Sequence, residues 1–176
     1  MRHIVITVFT AAVLVTIGAS RPAAQASVVR DEIRKDWVAT RDLMMKIANE
    51  MPADKFTFKS TPPQRSYGEQ ILHIATTNVR FVELLGGKTK APAINDKATS
   101  KAEILKAMAD SFDYGAAVID EQTPESMLQT VPARFMGPST RSRVLYFLIS
   151  HTQDIYGQMV VYLRLSGGVP PASQRP

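Results

Sequence analysis

The sequence predicts an all-α fold, a four-helix bundle, and three observations point to helices packed on helices. Apolar residues recur at steps near three, four and seven along most of the chain, the spacing that lines one face of a helix. Ser-x-x-Glu sequences, Gly-Gly pairs and prolines punctuate those runs where helices should begin and end. No stretch gives a convincing strand signal. Four helices with one apolar stripe each can bury those stripes only against one another.

Ahead of the bundle stands a different kind of segment. Met1-Arg2-His3 is followed by an uncharged run from Ile4 to Gly18. That run is about 15 residues long, within the range of a signal-peptide core and short of the ~20 that span a bilayer. Ala24-Gln25-Ala26 has small residues where a signal peptidase needs them. Residues 1–26 therefore read as a secretory signal peptide, cleaved before Ser27. No cysteine follows to take a lipid, so the processed chain should keep no stable membrane anchor. The protein is expected to be exported, to the periplasm if the source is Gram-negative. Residues 27–167 form the bundle domain, and 168–176 form a Pro-rich tail expected to be disordered.

The first helix spans Val28 to Met51, with Ile33, Trp37, Met44, Ile47 and Met51 on its apolar face. Pro52 and Pro62-Pro63 end it and mark a loop, whose Phe56 and Phe58 should plug one end of the core. The second helix opens with the capping box Ser66-Tyr67-Gly68-Glu69 and runs to about Leu85, where Gly86-Gly87 stops it. A polar loop with Pro92 covers 88–98. The third helix starts with a second such box, Ser100-Lys101-Ala102-Glu103. It carries Leu105, Met108, Phe112 and Ile119 on one stripe and ends near Gln122. Residues 123–138 are a long connection. The last helix runs from Ser139 or Thr140 to about Ser166, before Gly167-Gly168 and Pro170-Pro171.

Composition narrows the chemistry. Loss of Arg2 and Arg21 with the signal peptide lowers the formal charge from +5 to +3. The remaining cations are scattered, so no nucleic-acid footprint is present. The absence of cysteine excludes disulfides, thiolate nucleophiles and Cys-based zinc sites.

Processing also removes His3, which leaves His73 and His151. At helical spacing His73 shares a polar face with Ser66, Glu69, Thr76, Thr77 and Arg80, so it is either a solvent-facing histidine or a ligand. Glu69 would be a second ligand one turn away, although its cap already explains it. His151 has Phe147, Leu148 and Ile155 as turn neighbours and points toward apolar surroundings. A buried imidazole needs partners, and Asp154 and Gln158 are the polar candidates nearby. Gly157 in mid-helix costs about 1 kcal/mol relative to alanine, which suggests close approach of a helix or ligand there.

Two segments carry a resemblance. The stretch Phe56-Thr57-Phe58-Lys59 through Ser66-Tyr67-Gly68-Glu69-Gln70-Ile71-Leu72-His73, and His151 with Tyr156-Gly157-Gln158, Tyr162-Leu163-Arg164 and Pro170-Pro171, resemble the DinB-like (DinB/YfiT) family in order and spacing. The likeness covers essentially the whole processed chain. It implies a helical bundle, often a homodimer, with one divalent ion (zinc, nickel or manganese) held by three histidines. One comes from the second helix and two from an H-x-x-x-H pair on the last. His73 and His151 match the first two positions, and the third falls on Ile155. Asp154, Glu69, water or, at second remove, Gln158 would have to complete the shell. The family further implies a metal-dependent transferase or hydrolase-type enzyme acting through a thiol or water. The alternative is a non-catalytic exported bundle that binds a small molecule or partner protein and has lost the family metal site. A third reading is a structural role through a helix-face dimer.

Overall fold

The computed structural model describes residues 21–174. Most of the expected signal peptide, residues 1–20, lies outside the described residues. Helix α1 spans Arg21–Glu50, so the expected cleavage point before Ser27 falls in its second turn. Its buried side is Ile33, Trp37, Met44, Ile47 and Ala48, the heptad-like spacing read from the sequence. Phe56 is buried and Phe58 half-buried in the loop that follows. They pack edge-on against Tyr67 and Tyr162, at 5.5 and 6.1 Å between ring centroids.

Helix α2 spans Tyr67–Val82 and begins with a complete capping box. Ser66 Oγ accepts from the Glu69 N–H at 3.2 Å, and Glu69 Oε2 accepts from the Ser66 N–H at 2.6 Å. A 3-10 turn over Glu83–Leu85 and Gly86 at φ 64° close it, in the left-handed region that glycine enters without strain. Helix α3 spans Lys101–Asp120 behind Ser100. Here the expected second box is only half made. The Glu103 carboxylate accepts from the Ser100 hydroxyl at 2.6 Å rather than from its backbone N–H.

The connection 123–138 holds structure that period-2 reading could not find. Helix α4, Pro124–Met127, is one turn capped by Thr123. Strands β1, Thr130–Pro132, and β2, Pro138–Thr140, pair antiparallel with Val131 opposite Ser139. Three residues bounded by proline are too few to show alternation, so the expectation of no strand is corrected for this hairpin. Helix α5, Arg141–Leu165, follows with Thr140 as its cap.

Helix α1 packs on α3 and α5, and α2 packs on the same two, so α1 and α2 lie across the bundle from each other. Tyr67 spans that diagonal, donating from its hydroxyl to the Ile47 carbonyl at 2.7 Å. Trp37 is fully buried and donates from Nε1 to the Phe112 carbonyl at 2.8 Å. Its ring lies on Gly115, where an added Cβ would stand 2.2 Å from Cζ2. Close helix approach, expected at Gly157, is found instead at Gly115; among the described residues no other helix comes within 4 Å of a Cβ added at Gly157. The Pro-rich tail, expected to be disordered, folds back through Gln174. Gly168 donates to the Leu163 carbonyl at 2.9 Å, Pro170 is buried, and the 3-10 turn Pro171–Ser173 lies against α1. Among the described residues no helix is long and apolar enough to cross a membrane.

Candidate functional site: a histidine pair on the α2–α5 seam

Helices α2 and α5 run antiparallel, and their cross-contacts fix what meets what. Tyr162 donates to the Arg65 carbonyl at 2.7 Å at one end. Gln70 Nε2 donates to Gln158 Oε1 at 2.8 Å one step further along. His73 then meets His151, and Phe81 meets Phe147 at the far end. The two imidazoles lie edge to face, with centroids 5.1 Å apart and planes at 88°. His151 in turn stacks on Phe147, one turn before it, at 5.7 Å and 7°. Its Nε2 is buried and has no hydrogen-bond partner.

His73 has a second side. It lines an open groove of about 420 Å³ together with Lys59, Arg65, Glu69, Arg80 and Asp96. His151 is not part of that wall; it sits behind His73. Burial, followed by the charges of Arg65, His151 and Arg80, holds His73 down to a pKa of about 4. Burial also lowers His151 and outweighs the pull of Asp154 in the other direction, with Arg65 adding to the lowering. Both rings are neutral near pH 7, with lone pairs free to accept a proton, a hydrogen bond or a metal ion.

The remaining candidates are engaged elsewhere. Glu69 caps α2 and faces Lys59 at 3.7 Å. Its carboxyl is held below the usual range, first by the Ser66 N–H. Asp154 accepts from Gln158 Nε2 at 3.0 Å, and Gln158 also accepts from Gln70. Ile155 is 2% exposed and belongs to the core. Among the described residues no group of three or more His, Cys, Asp or Glu side chains is placed to hold a metal ion. The three-imidazole set implied by the sequence resemblance does not fit these residues: two rings are present, and a buried hydrocarbon side chain stands at the third position.

The resemblance makes His73 and His151 ligands of one ion, so their proximity is expected from the sequence, but the aromatic wall beside them is not. Phe81, Phe135 and Phe147 form a cluster with centroid separations of 5.1 to 5.9 Å. Phe135 comes from the hairpin and is 76% exposed. Arg65 was also missed; its only local signal is its place just before the α2 cap.

A family model described as the DinB family matches residues 25–176. A crystal structure of a DinB-like protein from Bacillus cereus ATCC 10987 superposes with a TM-score of 0.66 at 21% identity, over 80% of this chain and 95% of that one. A DinB-like protein from Bacillus subtilis gives 0.62 at 16% identity, over 82% and 99%. No match is found among curated proteins.

Proposed function

Because the chain belongs to the DinB family over residues 25–176, we propose that it is a small-molecule-binding bundle whose family metal centre is reduced to a pair of neutral imidazoles. The contact of His73 with His151 carries this reading, with Ile155 buried where a third imidazole would stand. A binding pocket needs a few convergent polar groups on an otherwise packed wall. The groove supplies them through His73 and its charged rim, while Phe147 fixes the plane of His151 from behind. Neutral His73 can accept a ligand proton or hydrogen bond, and His151 backs it. We further propose that the protein acts outside the cytoplasm. The signal-peptide pattern of residues 1–26 supports this, and the family match starting at residue 25 is compatible with it.

Metal analysis tests the reading. Protein purified and refolded with zinc, nickel or manganese should retain no stoichiometric ion. One ion per chain, lost in both His73→Ala and His151→Ala, would overturn it in favour of a metal-dependent enzyme. Ile155→His supplies the complementary arm. The polar ring in the core should cost about 2 kcal/mol without metal. Added zinc should restore that stability by binding the folded state, since the change completes the family set. Failure of zinc to bind this variant would mean that position 155 does not face His73.

A further inference from the structure

The groove in front of His73 has an unusual balance of partners. Most arginines in the bundle have acceptors: Arg34 meets Asp120 at 2.9 Å, Arg41 meets Asp113 at 3.0 Å, and Arg141 meets Gln122 at 3.0 Å. Arg65 and Arg80 line the groove, and among the described residues their guanidinium groups form no ion pair or hydrogen bond. Lys59 on the same rim is paired with Glu69, which is itself bound to the Ser66 N–H. Asp96 is the other acid of the wall, so two unpaired guanidiniums face one carboxylate around a neutral histidine.

From this we infer that the groove takes a small organic oxyanion, a carboxylate or phosphate ester, held by Arg65 and Arg80 beside His73. The inference rests on the binding reading above and names its ligand class. Guanidinium is the side chain best suited to such a group, because its planar N–H fork matches two oxygens at once. Arg65 and Arg80 are also the two arginines whose charge bears on His73, so both stand near one point of the groove. An anion there would offset that positive field and could accept from both. The Thr76 hydroxyl adds nothing, since it already donates to the Leu72 and His73 carbonyls. The volume of about 420 Å³ suits a compact ligand rather than a polymer.

Calorimetric titration with succinate, inorganic phosphate and uncharged succinamide, at matched ionic strength, tests this. Succinate or phosphate should bind saturably with a Kd of about 1 mM or tighter. Arg65→Gln and Arg80→Gln should each weaken it by about tenfold, while Arg134→Gln on the hairpin should leave it unchanged. Succinamide should not bind. The inference is overturned if neither anion binds, if both groove variants bind like the parent, or if sodium chloride alone reproduces the heat. His73→Ala reports separately on the underlying reading. Anion affinity lost with the arginines but unchanged in His73→Ala would keep the anion site and remove the histidine pair from it.

Discussion

At the scale of single residues, the fold makes His73 hard to protonate. Its pKa of about 4 lies below the ordinary 6.5 because burial and the Arg65, His151 and Arg80 charges disfavour the imidazolium. The sign of the consequence is fixed by linkage. Between pH 6.5 and about 4 the unfolded chain holds a proton on this residue that the folded chain refuses. Stability should therefore be full above pH 6.5 and fall as the pH drops through that window. His151, lowered in the same direction, adds to the slope. Urea unfolding at a series of pH values between 7 and about 4 measures it. His73→Gln should be less steep than the parent in this range; an identical slope would show that His73 is protonated as easily when folded as when unfolded.

At the scale of helices, the glycines inside α3 and α5 make opposite claims. Gly115 is required because α1 presses the Trp37 indole onto it. Gly115→Ala forces that indole, and its hydrogen bond to the Phe112 carbonyl, out of place, with an expected loss of about 1–3 kcal/mol. Gly157 faces open space, so Gly157→Ala should gain about 0.4–1 kcal/mol by restricting the unfolded chain. Thermal midpoints moving in opposite directions would bear this out. A destabilising Gly157→Ala would mean that another surface packs there in solution, such as a second copy of the chain. The contrast also shows what the sequence makes legible. Ser66, Gly86 and Thr140 announce helix ends through local chemistry, and the structure puts helix boundaries beside them. Close approach between helices is not local: nothing near Gly115 in the sequence says that Trp37, 78 positions earlier, will land on it. The candidate site divides in the same way. His73 and His151 stand out by scarcity and by family likeness, whereas the groove depends on Lys59 and Arg65 from the α1–α2 loop and Asp96 from the α2–α3 loop, which only the folded chain brings together.

At the scale of the whole molecule, the apolar core is one continuous cluster from Ile33 to Leu163, and polar ties close it at both ends. At one end Lys55 donates to the Ser166 carbonyl and Lys101 to those of Asn49 and Met51, each at 2.8 Å. At the other end Gln122, 4% exposed, gathers nearly every element. Its Nε2 donates to the Gly86 and Val118 carbonyls, its Oε1 accepts from Ser126 and Arg141, and its backbone carbonyl accepts from Arg30 of α1. Leucine fits the space but leaves the Arg141 and Gly86 groups without their partners. An unpaired buried polar group costs about 1–3 kcal/mol, and Arg141 is half-buried while Gly86 is exposed, so Gln122→Leu should lower stability by about 1–3 kcal/mol in total. The histidine seam lies toward the middle of α2 and α5, away from this end, so the loss should reach it only through global unfolding. Trp37 is the single tryptophan and sits on the α1–α3 contact, which makes its fluorescence a probe of the interior. If the bundle unfolds as one unit, fluorescence and helical circular dichroism should shift together in the variant. Helix signal lost well before the Trp37 signal would instead show that the Gln122 end opens by itself, as a separate unit of lower stability.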